Sequence, residues 1–421
     1  MTLEFIQNPV FRRFEKRLLE LHELMASGKD DDATADALRE EMTSDYRSLT
    51  SKEVDFLQGL SEDLYSLTEV KTPTTKEDST TEAELAKQLM IARQRENWTA
   101  VLHYLRPLAH RFPSEALAFQ RYQAYLRLGL IESAYLFLRH SSELDPMNLR
   151  KKHILLDVLV KAGHTTEAVA KSEQLLQDSE TPAPLVVAAA HIRYEALRNV
   201  PADSASPIVS QIKTALERAL RDTDAFKGMP PSVLIVGYTT LGFCLDALDD
   251  LQGALSAFSE AIKLDPESDA LRVALGLVLL PHDLSRAAEE FMKAAELKSH
   301  LFHPYLFLAP YALGQGKWAE AKAHAQRLLQ YARDPAIEAQ AWHWTAIAEY
   351  QLGADPAKVN SLFERAIQLD LLNPQISENF GRLKQVEAGA TPRSDIPWSR
   401  PTPNDFPRVS TFRDAPMMAV A

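Results

Sequence analysis

The chain has 421 residues, 46% hydrophobic and 25% charged, which is ordinary for a folded protein with room for roughly two or three domains or one long repeat array. A formal charge of −12 disfavours general binding to nucleic acid or anionic membranes. A single cysteine excludes an intrachain disulfide framework and fits a reducing compartment.

Charges interrupt the first segment from Arg12 through Glu23, so no secretion signal is read there. No apolar run approaches the roughly 18 residues of a membrane helix. A soluble, cytoplasmic protein is expected.

Residues 1–70 are expected to form an acidic helical module, with 16 acidic residues against 8 basic ones. Asn8-Pro9 reads as an N-cap with proline at the first helical position, followed by Phe11, Phe14, Leu18, Leu21 and Met25 on one face. A short helix is expected around Ala33 to Met42. Thr50 and Glu53 make a capping box, ahead of Val54, Leu57, Leu64 and Leu67 on the next helix. Residues 71–82 are polar and read as a flexible linker. On that reading, removal of Met1 to Thr81 leaves the remainder folded.

From residue 83 to 388 the chain repeats with a period of about 34 residues, the length of one helix–turn–helix unit. A degenerate first unit runs from Glu82 to Pro113, with Trp98, Val101, Leu105 and Leu108. The next, Glu115 to Asn148, has Tyr125, Gly129, Ala134 and Asp145-Pro146, and the third begins near Arg150 with Leu155, Leu156, Gly163 and Ala168. Gly129, Gly163 and Gly316 share one turn position, where a positive φ is easily accommodated. Between Pro182 and Pro231 only the period survives. Helices are expected at Leu185 to Arg198 and Ile208 to Arg221, separated by an enlarged turn over the breaker-rich Val200 to Pro207.

The clearest unit begins at Ile235. Tyr238, Leu241, Gly242, Leu245, Ala254, Phe258, Ala261 and Pro266 fall at eight signature positions in a row. Gly242 and Ala254 are small where two antiparallel helices approach, and Pro266 ends the second helix. Units from Asp269, Phe302 and about Ala339 follow, the last closing at Asn373-Pro374. Residues 389–421 are proline-rich and aperiodic, so a disordered tail carrying Trp398, Phe406 and Phe412 is expected.

On these residues the chain resembles the tetratricopeptide-repeat family over residues 83–388, most strongly at 235–300. The resemblance implies an all-α, right-handed superhelical solenoid of about eight helix–turn–helix repeats. It also implies a non-catalytic scaffold that binds peptide or helical segments in a concave groove. Family members that hold acidic chaperone tails use lysine, arginine and asparagine at set first-helix positions. Here the corresponding candidate groove-lining residues are Thr239, Phe243, Val273, Leu277, Leu306, Phe307 and Pro310. Such a set favours apolar or aromatic protein segments, if these side chains face the groove and not the neighbouring helices. The acidic tail clamp is not supported.

No motif for catalysis emerges. Gly28-Lys29 lacks the rest of a phosphate loop, and Asp30, Asp31 and Asp32 read as a helix start. His300 and His303 lack a visible third metal ligand, Cys244 reads as a packing residue, and the Arg12, Arg13, Lys16 and Arg17 cluster as a solvated face. No cofactor and no metal are expected, and no catalytic residue is assigned. The alternatives are an enzyme or a nucleic-acid-binding regulator acting through the N-terminal module, where His22 is the sole neutral-range base. An intramolecular contact between the tail and the apolar groove is the further expectation.

Overall fold

The computed structural model describes residues 4–68, 79–198 and 200–388, together with Trp398. The expectations for 71–78, 389–397 and 399–421 lie outside the described residues, whereas 79–82 already belong to a helix. Among the described residues there are α-helices and short 3-10 turns and no strand, so the fold is all-α. Two compact units divide the chain, Met1–Gln174 and Leu175–Ala421.

In the first unit, α1 (Pro9–Ala26), α2 (Ala33–Tyr46) and α3 (Ser51–Thr68) precede the repeats. Asn8 caps α1 as expected, its Oδ1 accepting the Val10 N–H at 3.0 Å. The capping box also forms, with the Thr50 N–H donating to Glu53 Oε2 at 2.7 Å. Asn8 Nδ2 reaches the other Glu53 oxygen at 2.7 Å, so the two helix starts are tied together. Asp32, at the end of the acidic triplet, caps α2 by accepting the Thr34 N–H.

The helices α4 (Ser79–Gln94), α5 (Trp98–Leu105), α6 (Ser114–Arg127), α7 (Ile131–Leu144), α8 (Leu149–Lys161) and α9 (Thr165–Gln177) complete this unit, with α9 running across its boundary. An aromatic chain links the N-terminal helices to the repeats. Phe11 lies 6.0 Å from Phe56, Phe56 meets Tyr125 edge-on at 6.4 Å, and Tyr125 stacks on Phe137 at 5.1 Å. The sequence-based boundary at residue 70 therefore falls inside one core.

The second unit holds α10 (Ala183–Glu195), α11 (Ala202–Ala219), α12 (Pro231–Ala247), α13 (Leu251–Leu264), α14 (Asp269–Leu279), α15 (Leu284–Glu296), α16 (His303–Gly314), α17 (Trp318–Tyr331), α18 (Pro335–Gln351), α19 (Pro356–Leu369) and α20 (Pro374–Glu387). Helices α4 to α19 thus follow one another as eight pairs, the number of repeats expected. Gly129, Gly163 and Gly316 have φ of 81°, 85° and 72°, as their shared turn requires.

One recurrent contact explains the spacing. A Cβ on Gly242 would sit 2.7 Å from the Phe258 ring, and one on Gly276 would sit 2.6 Å from the Phe291 ring. Each phenylalanine of a second helix therefore fills a hollow left by the glycine of the first. Ala254 is fully buried beside them, so no larger side chain fits without movement.

The enlarged turn expected before Ile208 is not there. Residues 202–207 are the first part of α11, and Pro207 lies within the helix. Ala205, Val209, Ile212 and Leu216 form a fully buried stripe at helical spacing. Burial of each large apolar residue stabilises by roughly 1.5–3 kcal/mol, which together exceeds the ~3 kcal/mol cost of an interior proline.

Candidate functional site

The first helices of the second unit are far more buried than the second helices. In α12 the run from Thr239 to Leu245 is buried throughout, whereas α15 alternates buried Phe291 and Ala294 with exposed Met292 and Lys293. This asymmetry decides the fate of the seven predicted groove positions. Phe243 stacks on Tyr194 at 6.1 Å and meets Phe258 edge-on at 5.2 Å. Phe307 packs against Phe291 at 5.1 Å and Tyr311 at 5.4 Å. Val273 and Pro310 are buried as well, and Thr239 turns its hydroxyl back onto the Ile235 carbonyl at 2.8 Å. Phe243, Val273 and Phe307 thus pack within apolar cores shared with neighbouring helices, and all five side chains are buried. Leu277 and Leu306 remain half-buried at the edges of two apolar cores.

In the first unit polar groups join the N-terminal helices to the repeats. Asp63 of α3 is fully buried and accepts from Arg106 at 3.1 Å, Arg121 at 2.9 Å and the Tyr125 hydroxyl at 2.6 Å. Glu15 of α1 accepts from Ser133 at 2.7 Å and from Arg12 at 2.9 Å. Burial raises the Glu15 pKa, while those two donors pull it back. The sequence held one signal of this network, a carboxylate set among Leu57, Leu60 and Leu64 on an apolar helix face.

Two clefts open beside these contacts. One, of about 420 Å³, is lined by His22, Leu67, Leu136, Arg139 and His140 among others. Burial lowers the pKa of both histidines, which favours their neutral forms, and Arg139 donates to Glu23 at 3.0 Å. The other, of about 440 Å³, includes Arg12, Arg13, Lys16, Glu132 and Lys161. Its cations face the protein's own carboxylates. Arg12 lies 2.9 Å from Glu15, Arg13 3.2 Å from Asp45 and Lys161 2.8 Å from Asp157, while Arg17, outside the cleft lining, contacts Asp45 and approaches Glu41 at 2.7 Å.

The remaining candidates are spread apart. The His303 ring stacks on Phe302 at 4.0 Å, and His300 meets Tyr331 edge-on at 5.5 Å. No group of three or more metal-ligating side chains comes together among the described residues. Cys244 is fully buried, and burial pushes its thiol pKa upward, away from the reactive thiolate. Among the described residues no helix is long and apolar enough to cross a membrane.

A further arrangement involves Trp398, which composition alone assigns to a solvated tail. Its side chain is 7% exposed. It meets Tyr350 of α18 edge-on at 5.3 Å and stacks on Phe363 of α19 at 6.2 Å, with Phe380 of α20 packed on Phe363 at 5.6 Å. The last repeat therefore forms an aromatic slot with a tryptophan seated in it. No helical period marks Trp398, so the sequence offers only its aromatic character.

No known family pattern matches the sequence, and no curated protein does either. Solved structures do resemble the fold. A tetratricopeptide repeat protein from Parabacteroides merdae is 13% identical, with 65% of this chain and 99% of that one covered and a TM-score of 0.36. The C-terminal part of a repeat-containing protein from Cytophaga hutchinsonii is 14% identical, covering 69% and 98%, also at 0.36. Yeast Tom70 is 14% identical over 92% of this chain and 81% of its own, at 0.38.

Proposed function

We propose that this array of tetratricopeptide-like helical hairpins is a non-catalytic scaffold that binds apolar segments of other proteins. The observation carrying the reading is the division of labour along the first helices. Phe243, Val273 and Phe307 pack in cores shared by neighbouring helices, while Leu277 and Leu306 keep half-buried apolar surface on successive first helices. Partly exposed leucines on a rigid framework suit an apolar anchor, because the receptor side chains are already ordered before binding. Charge agrees with this. The net −12 disfavours polyanionic partners.

Peptide display against the full chain tests the reading. Selected peptides are expected to carry apolar or aromatic anchors, and Leu277→Glu with Leu306→Glu is expected to weaken them at least tenfold. Unchanged affinity in a folded double variant contradicts it. The alternative of an enzyme or nucleic-acid regulator in the N-terminal module is less well supported. Helices α1 and α3 direct Glu15 and Asp63 at partners within the protein, and His22 has its basicity reduced by burial.

A further inference from the structure

We infer that the aromatic slot of the last repeat is a second binding site, one that receives an aromatic anchor flanked by prolines and is held shut in the free chain by Trp398. This site involves neither Leu277 nor Leu306, so it and the first-helix surface fail or succeed separately.

Three observations carry the inference. The slot is built by the repeat itself. Tyr350, Phe363 and Phe380 come from three successive helices and share one apolar core, in which Phe380 packs on Phe363 while Tyr350 and Phe363 both meet Trp398. Its occupant comes from outside those helices, since α20 ends at Glu387 and Trp398 follows in a stretch that the helical period does not reach. The fit is also incomplete. Trp398 Nε1 is buried and finds no acceptor among the described residues. Burying an indole ring is strongly favourable, but leaving its N–H without an acceptor offsets part of that gain. A partner segment that supplies an aromatic ring without that cost has a margin with which to displace the plug.

The chemistry of the occupant defines the ligand class. Ile396-Pro397-Trp398-Ser399-Arg400-Pro401 presents one large aromatic residue between prolines. Prolines limit the conformations the unbound segment can adopt, so less entropy is lost when the ring docks. Trp398 belongs to the same chain as the slot, so an outside segment competes with an intramolecular occupant. An outside segment must therefore either bind more tightly than the tethered ring or arrive when the tail is held elsewhere. The slot is thus regulated by the chain that contains it.

The test uses the full chain and a synthetic peptide with the sequence of residues 392–403. Calorimetric titration is expected to show the peptide binding the Trp398→Ala protein at least tenfold more tightly than the parent. A control peptide with the tryptophan replaced by alanine should bind neither. Equal affinity for the two proteins, or no binding to a folded Trp398→Ala protein, overturns the inference. If that variant does not fold, the parent protein decides. The Trp344 indole N–H is likewise buried without an acceptor among the described residues, but it sits within α18. Under native conditions the Trp398 indole proton is expected to exchange with deuterium at least tenfold faster than that of Trp344. Equal rates would make Trp398 a permanent part of the core.

Discussion

Asp63 and Arg121, 58 residues apart in the chain, meet as a fully buried ion pair with 2.9 Å between Oδ1 and Nη2. Arg121 also donates to the Asp63 carbonyl at 3.3 Å and to the Ser66 hydroxyl. Arg106 and Tyr125 complete the circle around the carboxylate. A helix outside the repeats thereby neutralises cations that belong to the repeats. Each partner leaves the other in low dielectric when it is removed.

Asp63→Ala is therefore predicted to destabilise the first unit by about 3–5 kcal/mol, the usual effect of stranding a buried charge. Denaturant unfolding followed by circular dichroism measures it. An unchanged midpoint would mean that water reaches Arg121 after all.

The same geometry argues against the expectation that the repeats survive loss of Met1 to Thr81. Truncation strips Asp63 from Arg106 and Arg121 and exposes the Tyr125 face covered by Phe56. The truncated chain is predicted to lose protection from hydrogen exchange in α5 to α7. Protection equal to that of the full chain would restore the independent-module reading.

Gly242→Ala is predicted to cost about 1–3 kcal/mol, because the added Cβ would sit 2.7 Å from the Phe258 ring. Ala254→Leu, at a fully buried neighbouring site, should do at least as much. Gly381→Ala is the control. A Cβ there meets nothing within 4 Å, so a helix-interior glycine is replaced without crowding and stability should rise by about 0.5–1 kcal/mol. In urea melts Gly242→Ala and Ala254→Leu should both fall below the parent midpoint, Ala254→Leu no higher than Gly242→Ala, and Gly381→Ala alone should rise above it.

Asp246, near the end of α12, has a pKa raised to about 6 by burial, with His282 lowering it and Asp249 raising it. A carboxyl whose folded pKa lies above its unfolded value stabilises the fold below about pH 4, and that contribution is lost as pH rises through about 6. Asp246→Asn is predicted to raise stability at pH 8 by about 1 kcal/mol, a figure reduced for solvent screening, and to change little at pH 4. Thermal melts at the two pH values check it, and equal gains at both would dismiss the burial argument.

Features with a local cause were legible in the sequence. Asn8 before Pro9, Thr50 with Glu53, and Gly129, Gly163 and Gly316 each act within a few residues, and all take the predicted conformation. The Gly242 and Phe258 pair was readable because the repeat brings both positions to one hairpin. The register of α11 was obscured by Pro207, a strong local breaker overruled by a buried stripe. The seven candidate groove positions lie on first helices of successive hairpins, but those helices have neighbours on more than one side, and a family pattern does not say which face stays open. Asp63 and Trp398 depend on partners far along the chain, Tyr125 and Phe363 among them, beyond any periodic signal.

If the first-helix surface around Leu277 and Leu306 engages protein segments, site-specific photo-crosslinking will capture them. A photoreactive residue is placed at Leu277, at Leu306, or at the exposed second-helix position Glu289, each in the full-length protein in extract of the source cells. Defined protein adducts are expected from Leu277 and Leu306, absent from Glu289 and competed by the display-selected peptides. The same adducts from all three positions, or none from the two leucines, would contradict such engagement.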